Sequence, residues 1–302
     1  MSDNTFSQPT NVVFESTVTG LERIHRGKVR DLYAIDDDHM LIVATDRISA
    51  FDVILPDPMP SKGYVLTQVS NFWFAQTKHI VPNHLADLSV SDVVPSPEDR
   101  KALEGRAVVV KRLNALPIEA VVRGYLIGSG WKDYKATGAV CGIKLPQGMQ
   151  LAEKLETPMY TPATKAAVGE HDENISYQST VDLLGEKVAR SVRDTTLALY
   201  AFAADYARNK GIIIADTKFE FGLDKNETLT LIDEALTPDS SRFWDKDHYS
   251  AGSSPSSFDK QIVRDYLDNL DWDKTAPGPS LPDEILQKTG LKYQQVLSML
   301  TA

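Results

Sequence analysis

GIIIADTKFEFGLDKNETLTLIDEALTPDSSRFWD, residues 211–245, opens as an apolar run over 212–215 and then alternates through Asp216, Thr217, Lys218, Phe219, Glu220 and Phe221. Successive strand side chains face opposite sides, so Asp216, Lys218 and Glu220 share one face while Phe219 and Phe221 share the other. Residues 222–227 read as a turn and 228–233 as the returning strand. With the turn centred on Asn226 and Glu227, Glu220 lies opposite Asp233. The loop lacks the glycine that a tight two-residue hairpin favours. Two carboxylates beside a lysine suit a hard divalent cation that carries phosphate. Pro238-Asp239-Ser240-Ser241-Arg242 then adds hydroxyls and a fixed cation. A hairpin with one wet, charged face would show the same pattern. The apolar entry argues instead for a deep strand, where charges must be paired or bound to metal. The segment reads as a site.

The bulk composition bounds the rest. A chain of 302 residues has room for one large domain or two packed ones. A net charge of −10 disfavours a general nucleic-acid or anionic-membrane binder, which needs a basic surface. Cys141 is the only cysteine, which leaves no intrachain disulfide and no cysteine-based zinc site. The first residues lack the basic start and apolar core of a secretory signal, and no apolar run nears the roughly 20 residues of a membrane span. The expected location is cytoplasmic, with homo-oligomers left open.

Working outward, LERIHRGKVRDLYAI (21–35) reads as strand, tight turn and strand. Gly27 permits close approach of a ligand, and Arg26, Lys28 and Arg30 set cations around it. The phosphate-loop pattern G-x-x-x-x-G-K-[ST] is absent, and a solvated basic hairpin would look similar. DRISAFD (46–52) follows the strand MLIVAT and combines acid, base and hydroxyl in one turn. Lys62 opens a helix whose apolar stripe is Val65, Val69, Phe72, Trp73 and Ile80, at an end where backbone amides favour anions. Residues 85–100 read as a loop. AVVVKRL and PIEAVVRGY read as strands, and Arg123 ends the second, directly before the glycine-interrupted GYLIGSG. Its planar fork suits carboxylate or phosphate. Residues 131–137 read as a short helix and 138–148 as an irregular turn in which Cys141 has no role. TPMYTPATKAAVGEHDENIS (157–176) is a long unperiodic loop of the kind that is functional or disordered. Residues 178–209 form one scaffold helix, with an apolar face from Val181, Leu184, Val188, Val192, Leu197, Leu199, Phe202 and Tyr206. Helices also follow over 258–270 and 282–300.

KFEFG with LIDE-x-LTPDSSRFWD resembles the SAICAR synthetase family in its long form. GKVRDLY, DRISAFD, VVRG with GSGW, and TPxTKxxxGxHDExIS agree with it in the same order, as do Lys260, Gln261 and Arg264. The resemblance implies an α/β (α+β) fold with two domains. An N-terminal antiparallel sheet domain, 1–113, would cover the nucleotide and stack on a larger mixed domain, 114–302, with ATP in the cleft between. It implies an ATP-dependent ligase of de novo purine biosynthesis. The reaction joins 5-amino-1-(5-phosphoribosyl)imidazole-4-carboxylate to L-aspartate, with ADP and phosphate released.

By the same resemblance Gly27, Lys28 and Arg30 would meet ATP, and Glu220 with Asp233 would hold Mg2+ against its phosphates. Lys218 would stabilise developing negative charge, with Asp216 as its catalytic companion in a supporting role. Arg123, Ser129 and Arg242 would orient the imidazole substrate, with Ser49 and Lys62 as further substrate contacts. An acid in the 157–176 loop, Asp172 or Glu173, would suit the aspartate amine, and Lys165 and His171 are further candidates there. Two rivals use similar parts. A kinase would need a positioned base and would make no amide, and a nucleotide sensor would consume no ATP.

Overall fold

The computed structural model describes residues 12–165 and 173–302. In chain order these form β1 (Arg23–Arg26), β2 (Arg30–Ala34), β3 (His39–Ala44), β4 (Ser49–Ala50), β5 (Val53–Ile54), α1 (Lys62–Thr77), α2 (Val90–Val93), α3 (Pro97–Ala102) and β6 (Ala107–Lys111). Next come β7 (Asn114–Ala115), β8 (Ile118–Tyr125), α4 (Gly128–Thr137), β9 (Ala139–Val140), β10 (Ile143–Lys144), β11 (Lys154–Tyr160), β12 (Ala163–Thr164) and α5 (Tyr177–Leu184). The chain closes with α6 (Glu186–Asn209), β13 (Ile212–Leu223), β14 (Leu229–Ile232), β15 (Ser241–Asp245), α7 (Gln261–Asp268) and α8 (Asp283–Thr301).

Two compact units emerge, each assembled from separated stretches. The first gathers residues 12–68, 85–112 and 262–297; the second gathers 69–84, the described part of 113–261, and 298–302. One crossing, between Arg112 and Leu113, lies a residue from the expected 113/114 boundary. The other crossings follow hydrogen bonds rather than chain order. Residues 69–84 join the second unit, where Ser70 Oγ accepts from the Ala235 amide and the His84 amide donates to the Leu231 carbonyl. Residues 262–297 join the first, where the Leu281 amide donates to Asp57.

In the first unit β1, β2, β3 and β6 form an antiparallel sheet in that order. Its inner face places Tyr33, Leu41, Val43 and Val109 with Val18, Val94 and Leu103 in one core. The short helices α2 and α3 occupy what reads in sequence as loop. Ser96 caps α3 by accepting from the Asp99 amide, and Pro97 supplies its first turn.

The second unit is organised around β13. β8 pairs with it over 216–219 and β15 over 212–217, on opposite edges; β14 and β7 take its edges further on. β11 and β12 extend the sheet from β8. The apolar start of β13, Ile213 and Ala215, packs with Tyr125, Ala152 and Trp244.

α6 lies on β13 and β8, and of the large residues expected on its inner face Val192 and Leu199 are fully buried, while Val188, Leu197, Phe202 and Tyr206 are only partly so. Its buried positions are Ala189, Val192, Thr196, Leu199, Tyr200, Ala203 and Ala207. Small side chains at three of these let the helix approach the sheet closely. The single helix expected over 178–209 is two, because Gly185 at φ 77° interrupts it. A hairpin of β9 and β10 stands in the expected turn 138–148.

The register of the β13–β14 hairpin also differs from expectation. Glu220 pairs with Ile232, not Asp233. Leu223 faces Leu229, so the loop holds five residues rather than an even number. Asp224 builds it: its Oδ1 accepts from the amides of Asn226 and Thr228 at 2.8 and 2.7 Å, and Glu227 takes φ 60°.

Candidate active site

In the second unit three strands bring two arginines to one carboxylate. Asp216 on β13 pairs with Arg123 on β8 along one edge and with Arg242 on β15 along the other. Its Oδ2 accepts from Arg123 Nη1 at 2.9 Å and also from Arg242 Nη1. Arg123 is 4% exposed and spends its remaining donors inside the site. Nε reaches Thr161 Oγ1 at 3.1 Å and Nη2 reaches Ser129 Oγ at 2.8 Å. Burial and the Arg242 charge lower the Arg123 pKa, against the pull of Asp216. Arg242 shifts upward, chiefly because of Asp216.

The glycines around Ser129 lie flush on these guanidinium groups. Gly128 has φ 60°, and a Cβ there would come 2.5 Å from Arg242 Nη2; at Gly130 a Cβ would come 3.0 Å from Arg123 Cδ. A side chain at Gly128 would be strained and would push Arg242 aside, and one at Gly130 would press on Arg123, so the glycines let the GSG segment lie close over both. Ser129 also reaches Asn174 Oδ1 at 3.4 Å, and Asn174 is tied to Asp133 at 2.7 Å.

Two residues along β13, a second charged row begins. Lys218 ion-pairs with Glu119 of β8, and Lys165 Nζ meets Glu220 Oε2 at 2.5 Å. Burial acts to lower the Lys218 pKa, but Glu119, Glu220 and Asp233 together raise it, so the ammonium is held charged. Asp233, at φ 66°, leaves the strand conformation just past β14. It reaches the field of Lys218 through this bend and not as the cross-strand partner of Glu220.

In the first unit the turn between β1 and β2 carries the Gly27-Lys28 pair. Lys28 Nζ ion-pairs with Asp52, which sits with Phe51 at the tip of the small β4–β5 hairpin at positive φ. Ser49 starts β4 and Arg30 starts β2, paired with Ala44. Lys62 begins α1 but is 1% exposed. Asp172 and His171 lie outside the described residues.

The sequence-derived candidates thus gather within each unit: Arg123, Ser129, Asp216 and Arg242 around one carboxylate, Lys218 with Glu220 and Asp233 in one field, and Gly27 with Lys28 on one turn. Glu119 was missed. Its signal was available, because Glu119 and Arg123 sit four apart on one strand and share a face. Thr161 and Asn174 had no such signal. Among the described residues no group of three or more acidic, histidine or cysteine side chains is arranged to hold a metal by itself.

This arrangement can bind an anionic substrate on paired arginines and stabilise charge on a fixed ammonium. Comparison with known proteins agrees. The family model described as SAICAR synthetase matches residues 23–279. Phosphoribosylaminoimidazole-succinocarboxamide synthase of Thioalkalivibrio sulfidiphilus is 64% identical over 98% of this chain and 99% of its own. The solved structure of SAICAR-synthase from Saccharomyces cerevisiae complexed with SAICAR is 42% identical, with a TM-score of 0.88 over 96% of this chain and 98% of that one. A SAICAR synthetase (Type-2) in complex with ADP is 25% identical, with a TM-score of 0.68 over 92% and 97%. With sequence and fold in agreement, the chain belongs to the SAICAR synthetase family.

Proposed function

We infer that the chain carries out its family's reaction. It joins 5-amino-1-(5-phosphoribosyl)imidazole-4-carboxylate to L-aspartate at the expense of ATP, giving the succinocarboxamide, ADP and phosphate in purine biosynthesis. The observation that carries this reading is the charged face of β13, where Asp216 gathers two arginines and Lys218 is held cationic among three carboxylates.

A carboxylate is a poor acyl donor. Transfer of the γ-phosphoryl group to one of its oxygens releases ADP and leaves an acyl phosphate. The aspartate amine then attacks the acyl carbon, the C–O bond to phosphate breaks, and the nitrogen loses a proton as the amide forms. Lys218 is suited to stabilise the negative charge that builds between phosphate and carboxylate. Arg123 and Arg242, steadied by Asp216, orient the imidazole substrate through its phosphate or carboxylate oxygens, with Ser129 beside them. Gly27, Lys28 and Arg30 take the nucleotide phosphates. Ser49 and Lys62 are proposed as further substrate contacts, and Asp172 as the contact for the aspartate amine.

Mg2+ fits the donor set of Glu220 and Asp233, since that cation commonly uses one or two carboxylates and completes its shell with phosphate oxygens and water. Bound there, it would bridge ATP phosphates and offset their charge. The partners in this reading are small molecules, with neither nucleic acid nor membrane involved, and its compartment is the cytoplasm.

The test is ADP release with Mg-ATP, the imidazole carboxylate and L-aspartate, each omitted in turn, with the product mass recorded. ADP and an imidazole–aspartate amide are expected only from the complete mixture. ADP without any amide would leave a kinase. In the same assay Glu220→Ala is expected to lose turnover with its fold intact; a variant as active as the parent removes Glu220 from the site.

A further inference from the structure

The turn that carries Lys28 is held from behind by the segment that follows β3. Arg47 is 2% exposed. Its Nη2 donates to the Gly27 carbonyl and its Nε to the Lys28 carbonyl, both at 3.0 Å. Thr45 engages the next carbonyl, that of Val29, through its amide at 2.9 Å and its hydroxyl at 2.8 Å. Three consecutive peptide planes are therefore pinned on one side. The guanidinium is itself fixed, by Asp31 Oδ1 at 2.8 Å and the Phe14 carbonyl at 2.6 Å. Ser16 holds the other Asp31 oxygen through its amide and hydroxyl at 3.0 and 2.7 Å.

A Gly-Lys-Val turn has little side-chain packing of its own, and the Lys28 side chain is half exposed. Its shape is thus set largely by where its carbonyls are bound. Fixing a carbonyl fixes its peptide plane, and with it the direction in which the neighbouring Cα–Cβ bond projects. An arginine can do this because its planar fork offers several donors in rigid geometry, whereas a lysine offers a single point charge.

We propose that Arg47, assisted by Thr45, is a positioning residue for the nucleotide phosphates: it sets the turn from which Lys28 reaches them and does not touch the ligand itself. The proposal rests on the assignment of Lys28 to those phosphates.

The test uses the full-length enzyme with Arg47→Lys, Thr45→Val, Lys28→Ala and the Arg47→Lys/Lys28→Ala pair, following thermal unfolding and the KM of each substrate. Arg47→Lys keeps a charge beside Asp31 but gives up the carbonyl bonds. It is expected to raise KM for ATP about 10- to 100-fold, with KM for aspartate and for the imidazole carboxylate within about twofold. Thr45→Val, which removes one hydrogen bond, should raise KM for ATP about fivefold. In the Lys28→Ala background, Arg47→Lys should add little.

If Lys28→Ala raises KM for ATP while folded Arg47→Lys and Thr45→Val leave it unchanged, the proposal falls and the role of Lys28 stands. An equal change in all three KM values, or a loss of melting temperature alone, also overturns it, because a purely structural arginine would do that. Should Arg47→Lys fail to fold, Thr45→Val decides by the same criteria. No change in Lys28→Ala removes the phosphate assignment and the proposal together.

Discussion

The two units use opposite charges for different ends. In the first, Arg47–Asp31 and Arg106–Asp46 are sealed, with side-chain exposures of 2% and 0% and of 0% and 0%. In the second, Lys218–Glu119 and Lys165–Glu220 each keep the lysine at 36% and 43% exposed over a carboxylate near 10%. A sealed pair cannot change partners without stranding a buried charge, at a cost of about 3–5 kcal/mol. A half-open pair keeps its lysine within reach of solvent, so a ligand anion can share the ammonium while the carboxylate stays paired. In the first unit the sealed pairs fix backbone; the second unit also closes one pair, Arg123–Asp216 at 5% and 6%, but sets half-open pairs beside it that are available for chemistry. The first unit repeats the contrast on a small scale, since Lys28–Asp52 is exposed on both sides while Arg47 behind it is not.

Breaking the comparison at its functional end should give the largest effect. Lys218→Met is expected to lower kcat by about 10²–10³-fold with the melting temperature nearly unchanged, measured by ADP release and thermal unfolding. Full activity would reduce Lys218 to an ion-pair partner.

At the structural end, Asp46→Asn leaves Arg106 buried beside a neutral amide, and it also weakens the hold on the Val13 and Gly63 amides. Urea unfolding should show a loss of about 3 kcal/mol, with kcat per folded molecule within about twofold of the parent. Unaltered stability would mean that the sealed pair contributes nothing.

A pH series sharpens the same point. Burial alone would raise the Asp31 pKa, but its bonds to Arg47 and Ser16 lower it below the ordinary 3.8. The folded state therefore binds that proton less readily than the unfolded chain. The stability Asp31 contributes is complete above about pH 4 and is lost as pH falls through and below that value. Asp31→Asn should be about 1–3 kcal/mol less stable than the parent at pH 7, with the gap closing toward pH 3. A gap that stays constant down to pH 3 would refute the linkage.

The smallest effect is expected at Cys141, whose thiol burial pushes up to about 11. At pH 8 about one molecule in a thousand carries the thiolate, so alkylation by iodoacetamide should be far slower than for a free cysteine and should leave activity intact. Rapid loss of activity on alkylation would give Cys141 a part in the site.

What sequence made legible was whatever depends on local order. Alternation along 216–221 places Asp216, Lys218 and Glu220 on one face, and both neighbouring strands bring complementary charge to that face. The hairpin register was not legible, because it turns on one side chain: Asp224 captures two amides and makes the loop odd in length. The face of α6 was legible only in part: Val192 and Leu199 are buried as expected, but packing takes Ala189, Ala203 and Ala207 in place of Phe202 and Tyr206. The sealed pairs were invisible for a different reason. Asp46 and Arg106 lie 60 positions apart, and no periodicity announces that two such residues will be buried together.

The placement of Lys218 on β13 has a consequence for motion. That strand is paired along both edges, at 216–217 by β8 and β15 together and at 222–223 by β14 and β7. Amides so enclosed exchange with solvent only when the sheet around them opens, an event drawn from the most stable end of the range of local openings. The lysine on which phosphoryl transfer is proposed to depend is thus anchored to a part of the chain that opens on the slowest timescale. Its mobility is confined to its own side-chain torsions, while its base keeps time with global unfolding.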